Sequence, residues 1–181
     1  MAEKAKDFER CMQKYLELEA LLHQFFNQVN YCKTECIHLE DVGARNTSHN
    51  RFNVGCCDGN AFLSDFRNHM PLHEKRIELY GEPKDNGIER CGYHAEEGCI
   101  LKTHKPVLCL AYICPEFEEH LKLQFNIRYN YSEIKRSLSD ILRREEAEKK
   151  FIEMKQQILR YINNTKEPVK PDFFLKMPAR P

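Results

Sequence analysis

Apolar side chains recur at three- and four-residue intervals near the start of the chain, at Phe8, Cys11, Met12, Tyr15, Leu18, Leu22, Phe25, Phe26 and Val29. That period marks one face of an amphipathic helix and predicts a helix over residues 4–30. Cys11 falls inside the stripe and reads as a small buried hydrophobe rather than as a ligand. Residues 39–55 carry turn formers without a sustained period and read as a loop. Beyond Asp58-Gly59, the four-residue spacing of Phe62, Phe66 and Met70 predicts a short helix before Pro71. A second short helix over 73–80 is expected to stop at Gly81 and Pro83.

The pattern becomes irregular between Asn86 and Pro115. Asn86-Gly87 and Gly92 suggest tight turns, Cys99-Ile100-Leu101 suggests a short strand, and Pro106 suits the first position of a short helix. A helical period returns at Tyr131 behind a cap at Asn130 or Ser132. Ile134, Leu138, Ile141 and Leu142 form one stripe, and Phe151, Ile152, Ile158, Leu159 and Ile162 form another. Between them, 143–150 offers only Ala147 to a core but can form Glu145–Lys149 and Glu146–Lys150 pairs, which predicts one long helix with an exposed middle. The segment from Lys166 onward contains four prolines and reads as extended.

These patterns predict a mainly α fold: an irregular cysteine-rich metal-binding lobe with short strands, flanked by an N-terminal amphipathic helix and a long C-terminal helix. The expected organisation is a cysteine-cluster domain over 1–130, including the first helix, a long helix over 131–165, and a tail over 166–181. The long helix would pack on the domain or form a homodimer contact. Eleven Phe and eight Tyr among 181 residues supply enough apolar surface for one core.

Charge removes one class of partner. Lys plus Arg and Asp plus Glu both number 28, so no basic field draws nucleic acid. No stretch has the apolar length of a signal peptide or a membrane span, so a soluble cytoplasmic protein is expected. In a reducing compartment, dense cysteines point to metal or redox chemistry more than to disulfides.

Eight of the nine cysteines lie between Cys32 and Cys114: Cys32, Cys36, Cys56, Cys57, Cys91, Cys99, Cys109 and Cys114. Thiolates are the ligands that zinc and iron–sulfur clusters select, usually four at a time. Four thiolates around a divalent zinc or a +2 cluster core leave a net charge of −2, which Lys102, His104 and Lys105 would offset. The adjacent Cys56 and Cys57 point to opposite sides unless the chain turns, which Gly55 and Gly59 permit. On a regular helix Cys109 and Cys114 would lie about 140° apart. The Cys114-Pro115 step favours a helix end between them, because proline disfavours helical geometry in the residue before it.

The order Cys32-x3-Cys36, Cys56-Cys57, then Gly98-Cys99, Lys105-Pro106, Cys109, Tyr112 and Cys114 resembles the YkgJ-type cysteine-cluster family, described as a zinc- or iron-chelating domain. The resemblance spans residues 32–115. It departs in the nineteen residues between Cys36 and Cys56 and in Lys105, where the family usually has arginine. The family's enzymatic relatives, the flagellin lysine methylases, look like cluster proteins that use S-adenosylmethionine. That activity is not carried over, since no G-x-G-x-x-G loop occurs, and a radical-type Cys-x3-Cys-x2-Cys would need cysteine where Leu39 stands.

Cysteine-only ligation, irregular spacing and the Cys-Pro close favour an iron–sulfur cluster, with 4Fe-4S the expected form, held by the eight cysteines. Its role would be redox, sensing or cluster-dependent modification of a protein or small-molecule substrate. The alternative is zinc in a protein-binding module without catalytic activity, for which Cys91-x2-His94-x4-Cys99 has suitable spacing. Asp58, Tyr93, His94, His104 and Tyr112 stand near the cysteines, yet ordinary supporting or surface roles suit them equally, so no catalytic residue is assigned.

Overall fold

The first helix buries its stripe as the period requires. In α1 (Ala2–Val29) the side chains of Cys11, Met12, Tyr15, Leu18, Leu22 and Phe25 are buried, and Phe8, Phe26 and Val29 are half-buried. This computed structural model describes residues 2–32, 34, 63–84, 91–95 and 98–166. The loop read over 39–55, the Asn86-Gly87 turn, Cys36, Cys56, Cys57 and the tail beyond 166 lie outside the described residues.

The described chain is mainly helical. After α1 come α2 (Leu63–Asn68) and α3 (Met70–Tyr80), then a two-stranded antiparallel ladder of β1 (His94–Ala95) and β2 (Gly98–Cys99). Four further helices follow: α4 (Val107–Ala111), α5 (Pro115–Phe125), α6 (Tyr131–Arg143) and α7 (Ala147–Asn164). Pro71 opens α3 within its first turn, where its missing N–H has no intrahelical partner to lose. Pro106 precedes α4 as its cap. The ladder ends at Cys99, leaving Ile100 and Leu101 outside it.

The single long helix expected over 131–165 is a correction: α6 and α7 are separate. Arg144 and Glu146 take left-handed backbone conformations, with φ of 68° and 46°. Each costs roughly 1–2 kcal/mol in a non-glycine residue. Folding the chain back offsets that cost, because both stripes then reach one core. Ile134, Leu138, Ile141 and Leu142 from α6 meet Met154, Ile158, Tyr161 and Ile162 from α7. Each such side chain contributes about 1.5–3 kcal/mol on burial. A straight helix would have left one stripe in water. The stripe itself also shifts, since Ile152 and Leu159 are exposed whereas Met154 and Tyr161 are buried.

Helix α7 lies alongside α1 in the same direction. Arg144 meets Asp7 at 3.8 Å, Lys14 meets Glu148 at 2.5 Å, Lys155 meets Glu17, and Thr165 donates to Gln28 at 3.0 Å. Lys14 and Lys155 also lie over the Phe151 ring. Helix α6 packs against both in the reverse sense, completing a three-helix bundle. Its amino end is capped by Asn130, whose Oδ1 accepts from Glu133 N at 3.1 Å. Phe25, Phe26, Tyr129, Tyr161 and Phe117 fill the end of the bundle near Val29.

Candidate functional site

The segment 99–106 leads from Cys99 to the side of the bundle, and three buried side chains, Glu19, Tyr15 and Arg76, fasten it there. Glu19 stands in the apolar stripe of α1, almost wholly buried, and its carboxylate accepts from His104 N at 2.8 Å and Lys105 N at 3.0 Å. Tyr15, one turn earlier, donates to the Lys105 carbonyl at 2.6 Å. Arg76 of α3 is fully buried; its Nε donates to the His104 carbonyl at 2.7 Å and its Nη2 to Asp65 Oδ2 at 2.6 Å. His104 can engage both sides because its backbone is left-handed, with φ of 58°. Farther out, the Tyr80 hydroxyl accepts from Lys102 N and Thr103 N.

Burial sets the electrostatics of this seam. It pushes the Asp65 carboxyl up to about 6, against the pull of the Arg76 guanidinium and of a Val107 N–H. Glu19 is likewise raised by burial, while the two backbone N–H groups and the Lys105 and Arg76 charges oppose the rise. The His104 ring is lowered by burial and by Lys75 and Arg76. Arg76 Nη1 finds no hydrogen-bond acceptor among the described residues. An unused donor on a fully buried cation is costly and marks a place where an acceptor belongs.

Two of the cysteines lie in a second buried cluster. Cys91, Tyr93 and Leu101 are buried together, with Tyr80 and Cys99 packed against them. Burial raises the Cys91 thiol, while a Tyr93 N–H opposes the rise. A close backbone contact stitches the lobe to the end of α3. Lys84 N donates to the Gly92 carbonyl at 2.9 Å, and a Cβ at Gly92 would stand 2.6 Å from both the Lys84 oxygen and Pro83 Cβ. Only glycine fits there without displacing backbone.

The other described cysteines lie elsewhere. Cys109 is exposed on α4, which begins two residues past the Lys105 carbonyl that accepts from Tyr15. Helix α4 ends at Ala111, and Cys114 caps α5, its Sγ accepting from Phe117 N at 3.4 Å. The expected helix end between Cys109 and Cys114 is therefore present. Cys32 is exposed just past α1, beside Tyr31, whose ring stacks on Phe117 at 4.9 Å. From Glu19 to Val29, α1 rises about 15 Å. Cys32 and Cys114 thus belong to the aromatic end of the bundle, whereas Cys91 and Cys99 belong to the seam end. Cys11 is buried in the bundle as its stripe position requires.

Among the described residues, no three His, Cys, Asp or Glu side chains converge on one point. Cys36, Cys56 and Cys57 lie outside those residues, as does the ring of His94. Glu19, Asp65 and Arg76 were not anticipated from the sequence. One signal was available: Glu19 interrupts an apolar stripe, and Arg76 stands between Leu72 and Tyr80 at four-residue intervals on one face of α3.

Comparison of the chain with protein-family models, curated proteins and solved structures finds no match. Among the described residues no helix is long and apolar enough to cross a membrane.

Proposed function

We propose that the chain is a metal–thiolate protein of the YkgJ type, holding an iron–sulfur cluster that serves a redox, sensing or cluster-dependent modification role. The observation that supports this reading is that two of the eight cysteines, Cys91 and Cys99, pack in one cluster with Tyr93, Leu101 and Tyr80. Paired thiols held together in a reducing compartment are what a metal centre would draw on. The residues fit such a group in part: Cys91 and Cys99 supply two thiols in one cluster, and Cys36, Cys56 and Cys57 are the candidates to complete it. Cys32, Cys109 and Cys114, which lie elsewhere, would serve a second centre or none.

Bound there, a cluster would supply one-electron chemistry or a Lewis-acidic iron. The chain's own contribution is to exclude water with Tyr80, Tyr93 and Leu101 and to set the local charge through Arg76. Zinc in a structural module is the second reading, favoured by the same pairing of Cys91 and Cys99, since a tetrahedral zinc site also takes four thiolates. Protein purified without oxygen should be brown, with iron and labile sulfide in stoichiometric amounts. A colourless protein with stoichiometric zinc overturns the cluster reading in favour of the module. A protein with neither metal overturns both.

A further inference from the structure

We propose that the outward face of α7 is a self-association surface for a second copy of this chain, the two α7 helices lying antiparallel about a twofold axis at Gln156.

This face differs from the rest of the helix. Met154, Ile158, Tyr161 and Ile162 turn into the bundle, whereas Ile152 and Leu159 point away from it and are 46% and 39% exposed. Standing seven residues apart, these two aliphatic side chains share one face of the helix. Gln156 lies between them, and Glu153 and Arg160, also seven apart, flank the same line; all three are exposed. The ion pairs that α7 makes among the described residues run through Glu148, Lys149 and Lys155, and none takes up Glu153 or Arg160. Two aliphatic groups and two opposite charges are thus left in water together.

The five side chains complement their own image. At about 100° per residue, Ile152 and Leu159 fall about 40° and 60° to one side of Gln156, and Glu153 and Arg160 about 60° and 40° to the other. A twofold axis that reverses the helix direction keeps each side facing its own kind. Ile152 then meets the partner's Leu159 along one edge, Glu153 meets the partner's Arg160 along the other, and both contacts recur at the opposite end. Only Gln156 meets its own copy. Its amide both donates and accepts, so two of them can bond each other where two equal charges would repel. A parallel pair in register would set Glu153 against the partner's Glu153 and Arg160 against the partner's Arg160, which like charge disfavours. Charge complementarity therefore selects a second copy as the occupant and fixes its direction. With 18 residues, α7 is about 27 Å long, so the contact is small and the dimer reversible.

Sedimentation equilibrium of the full chain at rising concentration supplies the test, with helical content and melting recorded for every variant. Wild type should pass from monomer to dimer. Glu153→Arg and Arg160→Glu should each weaken association by about tenfold or more, because each sets like charges opposite one another at both ends. Both positions are exposed, so melting should be unchanged. Two rescues then follow from the symmetry. The double variant Glu153→Arg/Arg160→Glu exchanges the charges and should recover the wild-type affinity. The two single variants, weak when alone, should pair with each other when mixed, since every facing pair is then of opposite sign.

A wild-type chain that stays monomeric at every concentration would overturn the proposal. So would a dimer indifferent to both single reversals, which would place the contact on another surface, or one that the reversals weaken and neither rescue restores, which would deny this register. Loss of the dimer on removing residues 167–181, with the reversals harmless, would assign association to that segment instead. Should either reversal unfold the chain, Gln156→Glu decides in its place by setting two like charges on the axis: a weakened dimer supports the proposal and an unchanged one refutes it.

Discussion

Among the described residues, twenty-two buried side chains form one continuous core around α1, α6 and α7, whereas Cys91, Tyr93 and Leu101 form a separate cluster. In the bundle, helical period, caps and aromatic packing reinforce one another, so each segment would be held even if one contact were lost. Around the second cluster the described fastenings are polar: Glu19, Arg76 and Tyr80 hold residues 102–105, and the close approach at Gly92 joins 91–93 to the end of α3. The bundle is thus held mainly by apolar packing, and the described part of the second region by polar contacts and backbone fit, which open more readily.

The sharpest way to break this contrast is to damage the bundle and ask whether the whole chain fails. Phe25→Ala removes a ring that meets Phe26, Tyr129 and Tyr161 and should cost about 3–5 kcal/mol in urea unfolding. Loss below about 1 kcal/mol would mean that the aromatic end does not hold the bundle together.

Acid probes the scaffold in a different way. Burial lowers the rings of His23 and His69 to about 4, so the folded state binds fewer protons than the unfolded state below pH 6.5. Their contribution is complete above 6.5 and is lost as pH falls through 4, His69 withdrawing about 3 kcal/mol by then. Asp65, raised to about 6, works in the opposite sense, its contribution being lost as pH rises through 6. Four histidines lowered by burial, His23, His69, His73 and His104, against two carboxylates raised by it, Asp65 and Glu19, predict net acid destabilisation, and His69→Gln should flatten the slope in denaturation curves taken from pH 7 to 4.

Gly92→Ala tests the lobe in isolation. The clash with Lys84 and Pro83 should cost about 1–3 kcal/mol locally, read as faster hydrogen exchange in residues 91–101, with the midpoint for the bundle unchanged. A fall in the global midpoint would show that lobe and bundle unfold as one unit. The smallest effect belongs to the turn. Glu146→Gly relieves a left-handed non-glycine residue and should raise bundle stability by about 0.5–1 kcal/mol in thermal unfolding.

The two regions were also unequally legible in the sequence. The stripes of α1 and α6 are regular because burial against a large core enforces a period of 3.6. The break at Arg144–Glu146 was hidden because polar residues of good helix propensity can continue a helix as readily as cap one, and the demand that both stripes reach one core is a tertiary one. At the candidate site the cysteines were visible as residues, but not their division between the seam end and the aromatic end, which is set by where α4 and α5 lie along α1. Glu19, Asp65 and Arg76 escaped notice for a related reason. Charged residues are mostly exposed, and the carbonyls and N–H groups that make these three tolerable inside come from segments distant in the chain.

The parallel seating of α7 on α1 has a consequence for how the chain comes to be folded. These neighbours are joined through more than a hundred intervening residues, so their contact is of high sequence separation and among the slowest to form. During synthesis at about 5–20 residues per second, the face of α1 bearing Met12, Leu18, Leu22 and Phe25 must wait several seconds for its cover to emerge. Over that interval the nascent chain presents a sticky apolar helix, the kind of segment that chaperones recognise, and it is withdrawn only when Ile158 and Ile162 arrive.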